Sequence, residues 1–389
     1  MFSKRTEWEL GENPLALELN KLQEQGVSLF DLTQSNPTQA GIAYPPELIL
    51  KAFLDPQNLI YAPHPKGMLK TREAVAHYYA DKGIKVSPEN IVLTSSSSEA
   101  YGFLFRLLMD PHDRLLLPAP SYPLFSYLAG LNDVDVAYYH IYFDDKGWRI
   151  DFDSLEDSAE RGAKAIVLVS PNNPTGSCIK AEEIKRLNAL CTRYGMAIIS
   201  DEVFIDYIFD EAATKYQSLA LNTGALSFAL GGLSKAMALP QMKLGWIIVN
   251  GPKKEVKGAL DRLEVIADTY LSVNTPVQHA AATWLAGRGI VRDQIMARVR
   301  ANEALLGDVA RKAGVRCFPV EGGWYGLIQL SMGMPEDEWA LKLLKEKHVV
   351  VHPGFLFDFD EEGFLVLSLL TKEDVFAEGL RRIAAFIEK

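Results

Sequence analysis

Cysteine is scarce in this chain, long apolar runs are missing, and positive charge is outnumbered. Three cysteines in 389 residues (Cys178, Cys191 and Cys317) form an odd set without CxxC spacing, which argues against a disulfide framework and fits a reducing compartment. No apolar run approaches the ~20 residues that a spanning helix needs. The opening stretch from Met1 to Leu10 lacks the apolar centre of a secretion signal, so a cytoplasmic protein is expected. Asp and Glu outnumber Lys and Arg by 50 to 40, giving a net charge of -10. Nucleic acid and acidic membrane surfaces call for the opposite balance, so neither is expected as a partner. Repeats, low-complexity tracts and Pro/Ser-rich linkers are absent as well.

What remains is enough apolar sequence for two packed domains, arranged as short apolar runs alternating with amphipathic stretches. Strands are expected at Ile91–Thr94, Arg114–Leu117, Val134–Tyr142, Ala165–Val169, Met196–Ser200, Leu226–Leu230 and Gly245–Val249. Helices are expected at Glu99–Met109 and Ala181–Tyr194, with helical periodicity throughout Lys253–Leu306. Continuous apolar runs separated by helices mark a mostly parallel sheet covered on both faces. A smaller α+β pattern follows Gly314, with strands near Gly326–Leu330, Val349–Val351 and Leu365–Leu369 and a last helix from Lys372. Ligands of open α/β sheets sit beyond the carboxyl ends of the strands. There the sequence places Ser95–Ser98, Pro120-Ser-Tyr122, Asn172-Asn-Pro-Thr-Gly176, Asp201-Glu202 and Gly232-Leu-Ser-Lys235, which together outline one polar crevice.

Ser170-Pro-Asn-Asn-Pro-Thr-Gly176, Ser200-Asp-Glu-Val-Phe204, Leu233-Ser-Lys235, Leu239-Pro240 and Gly245-Trp246 stand in an order and spacing that resembles the class I/II aminotransferases, pyridoxal-phosphate enzymes of fold type I. The likeness runs from Ser35-Asn-Pro37 to the last strand. It implies a large α/β domain with a mostly parallel sheet (41–290) and a smaller α+β domain built from both chain ends (1–40 and 291–389). It assigns Lys235 the Schiff base with the cofactor, and the chemistry agrees. A lysine amine can bond the aldehyde, be displaced by substrate, and then move the substrate's α-proton. Asp201 would face the pyridine nitrogen and keep the ring protonated, and Asn173 would donate to the ring oxygen. Tyr122 would stack on the ring. Ser96, Ser97 and Ser98, at a helix N-terminus, would seat the phosphate with Ser234. Tyr61 matches a tyrosine that reaches the cofactor of the partner subunit, which implies a homodimer with shared sites. Glu202 is expected to point away from the crevice.

Several positions depart from the family pattern. Phe204 stands where most members have a tyrosine that donates to the ring oxygen, and phenylalanine donates nothing. Lys243 replaces an arginine that clamps the phosphate, which keeps the charge and loses the fork. Val366 replaces the arginine that grips the substrate's α-carboxylate, and Thr269 replaces the arginine of dicarboxylate-specific members. An aspartate or glutamate specialist is therefore not expected. Ser35, Trp324, Tyr325, His352 and Phe355 are expected in the pocket wall, and Arg5 is the candidate for a relocated carboxylate clamp. The reading is a transaminase passing an amino group from a small-molecule donor to an oxo acceptor. A lyase or decarboxylase of the same fold is the alternative, and a pyridoxal-phosphate-binding protein without turnover is a third.

Overall fold

The computed structural model describes the whole chain except Glu9, Glu12, 210–215, 331–332 and 388–389. Among the described residues no helix is long and apolar enough to cross a membrane. Residues from both chain ends meet: β1 (Phe30–Asp31) pairs in parallel with β12 (Val349–Val350). The large sheet has eight strands: β2 (Ile91–Thr94), β3 (Arg114–Ala119), β4 (Asp135–Asp144), β5 (Gly147–Ile150), β6 (Ala163–Val169), β7 (Ala197–Asp201), β8 (Ser227–Gly232) and β9 (Gly245–Asn250). Their spatial order is β2-β9-β8-β7-β6-β3-β4-β5. The run from β8 through β4 is parallel, while β9 is antiparallel to both of its neighbours.

The apolar runs become strands because both faces of the sheet are covered. Along β6, Ala165, Val167 and Val169 enter one core with helices Ser97–Leu108 and Lys253–Tyr270. Ile166 and Leu168 enter the other, with helices Phe152–Glu160 and Ala181–Tyr194. Burial of each Val, Leu or Ile side chain contributes about 1.5–3 kcal/mol. A strand buried on both faces resists slipping because each residue has a fitted site on its own side. Helix Ala181–Tyr194 begins where Glu183 accepts the Lys180 N–H (2.9 Å) and stops at Gly195, whose left-handed φ of 66° ends the helical hydrogen bonding.

Two features differ from the sequence expectation. The edge strand β5 turns back on β4 through a tight hairpin, which the short polar stretch Asp144–Gly147 did not reveal as a strand signal. The helical stretch after Lys253 is three helices, Lys253–Tyr270, Thr275–Ala286 and Gly289–Lys312, separated by short breaks. A small antiparallel sheet follows in the order β10 (Arg316–Cys317), β11 (Tyr325–Gln329), β14 (Phe364–Ser368), β13 (His352–Pro353). Ser368 ties it to the N-terminal segment, its N–H donating to Leu32 O (2.7 Å) and its hydroxyl to Gln34 O (2.7 Å). Those bonds bring Ser35 beside the small sheet.

Candidate active site

Three adjacent parallel strands deliver the central side chains. Asn173 follows β6, Asp201 closes β7, and Lys235 lies three residues beyond β8, in the short helical turn Leu233–Ala236. Tyr122 stands three residues beyond β3, and Ser96–Ser98 follow β2. Because β9 runs the other way, Lys243 precedes it on this same rim.

Lys235 Nζ lies 4.7 Å from the centroid of the Trp324 ring and 5.3 Å from that of Phe204. Among the described residues nothing is hydrogen-bonded to this amine. Burial lowers its pKa to about 8, against the opposing pull of the Asp201 charge. Trp324 and Phe204 are both buried, meeting edge to face at 5.3 Å. Tyr207 fixes the lysine's backbone by donating its hydroxyl to Lys235 O (3.0 Å).

Asp201 is buried, and burial raises its pKa to about 6. The Val203 N–H donates to Oδ1 (3.2 Å) and the Tyr101 hydroxyl to Oδ2 (3.1 Å), and both bonds, with the Lys235 charge, pull the other way. Glu202 points to the opposite side, where it accepts from Ser200 Oγ (3.1 Å), Ser218 Oγ (2.5 Å) and Leu219 N (2.7 Å). Tyr101 is the contributor that sequence reading missed, since an aromatic within an apolar helix face reads as core. Its hydroxyl was the available signal, because a buried Tyr O–H almost always has a partner.

Ser96 caps helix Ser97–Leu108, accepting the Glu99 N–H (3.1 Å), so the free N–H groups of the first turn face the crevice rim. Gly245 lies against this turn, where a Cβ would come within 2.9 Å of the Ser96 carbonyl carbon and of Thr94 Oγ1. Ser97 is partly buried and Ser98 exposed, and Ser234 sits partly buried beside Lys235. Lys243 is exposed, on a left-handed backbone (φ 54°). Tyr122 is partly exposed, its ring meeting Phe125 edge-on at 5.8 Å. The Ser35 hydroxyl reaches Tyr325.

Two residues stand apart from this group within the single chain. Arg5 forms an ion pair with Asp133, just before β4 and therefore at the amino ends of the strands. Within the single chain it thus lies at the opposite end of the strands from the crevice. Tyr61 is 80% exposed, and among the described residues no hydrogen bond or ring contact joins it to these side chains.

The residues fit a pyridoxal phosphate group. Among the described residues neither end of the Asn173 amide is hydrogen-bonded, its Oδ1 being buried, so its NH2 is open to donate to a ligand oxygen. An unpaired lysine amine, a buried carboxylate and a helix N-terminus complete a donor set for an aldehyde, a ring nitrogen and a phosphate.

A mostly parallel sheet between helices, a small antiparallel sheet and a lysine at the switch of strand direction define a fold-type I enzyme. The sequence profile of the family "Aminotransferase class I and II" matches residues 27–383, and the chain belongs to that family. It is 26% identical over 382 residues to the glutamate-pyruvate aminotransferase AlaA of Haemophilus influenzae, covering 96% of this chain and 94% of that one. It is equally 26% identical over 389 residues to the alanine aminotransferase of Mycobacterium tuberculosis, covering 96% and 89%. An aminotransferase structure from Escherichia coli superposes with a TM-score of 0.86 at 25% identity, over 100% of this chain and 98% of that one. The alanine aminotransferase of Pyrococcus furiosus gives 0.90 at 22%, with full coverage of both, which speaks to fold alone. The protein is thus an enzyme that transfers amino groups, from a family that works with pyridoxal phosphate.

Proposed function

We propose that the crevice holds pyridoxal phosphate covalently on Lys235 and moves an amino group from a donor lacking an α-carboxylate to an oxo acceptor. The observation that carries the cofactor assignment is the Lys235 amine, shielded by Trp324 and Phe204, without a hydrogen bond and with its pKa lowered to about 8. Such an amine has a reactive neutral form near neutral pH. When bound, the cofactor supplies an electron sink for the substrate carbon. Asp201 would hold the proton at the ring nitrogen, and Lys235 Nζ would carry the proton at the substrate carbon. Asn173 would orient the ring oxygen, Tyr122 would cover the ring face, and Ser96–Ser98, Ser234 and Lys243 would bind the phosphate. On this reading residues 41–290 carry the cofactor, while 1–40 and 291–389 close over it.

The proposed assembly is a cytoplasmic homodimer. Leu59 (91% exposed), Ile60, Tyr61 and Leu271 lie near one another, since the His64 backbone bonds the Ser272 hydroxyl through both its N–H and its carbonyl (3.1 and 3.0 Å). A second copy covering this apolar strip would bring Tyr61 to its neighbour's phosphate.

The donor class follows from the small sheet. Cross-strand pairing puts Leu327, Val366 and His352 on one face, with Tyr325, Phe364 and Ser368. Val366 is fully buried there among Trp148, Phe318, Leu327 and Phe357. His352 is held neutral by burial, which lowers its pKa. The cross-strand neighbours of Val366 are Leu327 and His352, neither a cation, while Arg316 lies on the same face farther along, bonded to Gln329 (3.2 Å) and packed over Phe143 and Phe318. Next to Val366 a carboxylate therefore forgoes a charge-assisted bond, which contributes about 1.5–3 kcal/mol. Amines should therefore convert the loaded enzyme to its amino form about tenfold faster or more than their matched L-α-amino acids, followed by absorbance. Efficient reaction of α-amino acids, unchanged in Arg5→Ala, would refute this donor class. If Arg5→Ala abolished it, Arg5 would serve the site of a neighbouring chain.

Phe204 gives a separate check on cofactor placement. Phe204→Tyr should lower the pKa of the Lys235–cofactor bond, read from visible absorbance against pH. An added donor stabilises negative charge on the ring oxygen, which then holds the shared proton less firmly. An unchanged or raised value would mean that the hydroxyl at 204 does not reach that oxygen.

A further inference from the structure

We propose that Tyr101 is a positioning residue whose hydroxyl keeps Asp201 an anion aimed at the ring nitrogen. Its functional meaning rests on the cofactor reading above, but the carboxyl chemistry does not. One helix would then perform two tasks. The first turn of Ser97–Leu108 presents its N–H groups to the phosphate seat, and the following turn brings Tyr101 to Asp201 Oδ2 at 3.1 Å. Tyr101 is itself fixed, edge-on to Phe125 at 5.1 Å and tilted against Phe105 at 5.8 Å. Phe125 in turn meets Tyr122, so the ring-stacking residue and the donor to Asp201 share one aromatic contact chain.

A buried carboxylate without donors takes up a proton, and a neutral carboxyl cannot stabilise a protonated ring nitrogen. The groups facing Asp201 come from four elements. Tyr101 lies on the helix, Lys235 follows β8, Tyr122 follows β3, and Tyr79 lies on helix Leu69–Ala80. Burial raises the pKa of all three phenols, so each stays neutral through the physiological range. Of the three, only Tyr101 donates to the carboxylate. Its O–H therefore donates at every pH where the enzyme works, and removing it shifts Asp201 in one direction only. The carboxyl pKa rises, and anion-dependent function is lost at a higher pH than before.

The test uses the full chain carrying 13C-labelled aspartate carboxyls, before and after loading with pyridoxal phosphate, with the Asp201 signal assigned by Asp201→Asn. In Tyr101→Phe, which keeps the ring and its packing, the Asp201 midpoint in the unloaded chain should rise by about one to two pH units, the size expected for one hydrogen bond to a charged group. After loading, the acid limb of the single-turnover rate should move in the same direction. Tyr139→Phe is the control for loss of a buried hydroxyl, since Tyr139 donates to Val167 O (2.8 Å) and not to Asp201. An unmoved midpoint in Tyr101→Phe, or an equal rise in Tyr139→Phe, would overturn the proposal. A chain that shifts as expected but never takes up the cofactor would keep the Tyr101–Asp201 coupling and reject the cofactor reading.

Discussion

Lys235→Ala is expected to abolish covalent capture of the cofactor and to lower turnover by at least about 10⁴-fold, the upper range for loss of a positioned acid–base group. Three consequences of the substitution act together. The amine that would bond the cofactor is gone, and with it the group that would carry the substrate proton. Asp201 also loses the positive neighbour that opposes its burial, so its carboxyl should rise above its present value of about 6. Packing loses little, because Lys235 lies on a four-residue turn and, among the described residues, its amine makes no hydrogen bond and faces the Trp324 and Phe204 rings at 4.7 and 5.3 Å. The variant should fold, and the defect should be chemical. Borohydride reduction of the wild-type enzyme followed by peptide mapping should place the label on Lys235. A label on Lys243 instead, or a Lys235→Ala protein that still shows the bound chromophore, would remove the assignment.

Asp201→Asn should retain the cofactor, still linked through Lys235, yet lower turnover by about three orders of magnitude or more, each tenfold step being ~1.4 kcal/mol. An amide holds no negative charge against a protonated ring nitrogen, so stabilisation is lost where charge develops during the reaction. Stability is pulled both ways. Removing a buried charge is favourable, but the carboxylate now accepts from two donors, the Val203 N–H and the Tyr101 hydroxyl, on different oxygens. An amide offers one oxygen, so one buried donor faces an NH2 group, at a cost of about 1–3 kcal/mol. A variant that binds cofactor and turns over within threefold of wild type would show that another group manages the ring nitrogen.

Much of this protein was legible before folding. The runs Ile91–Thr94 and Ala181–Tyr194 coincide with a strand and a helix because the signals that bound them are local: apolar residues between turn formers, Glu183 reaching back to the Lys180 N–H, and Gly195 free to take a left-handed backbone. The ordered motifs around Asn173, Asp201 and Lys235 pointed to the family for the same reason. Each sits in the few residues after an apolar run, and that placement is written in the chain.

Tertiary structure decided the rest, because it depends on which faces bury each other across long separations. The antiparallel β9 between β2 and β8 follows from sheet assembly and leaves no mark on its own apolar run. Tyr101 reaches Asp201 across 100 positions, and Arg5 reaches Asp133 across 128, so no periodicity could have paired either. Val366 reads in sequence as a missing arginine; only the pairing of β14 with β11 and β13 shows that apolar side chains and a neutral histidine surround it. Local sequence chose the elements and the reactive residue types. Burial of one element against another chose their neighbours, and those neighbours set the charge on Lys235 and Asp201.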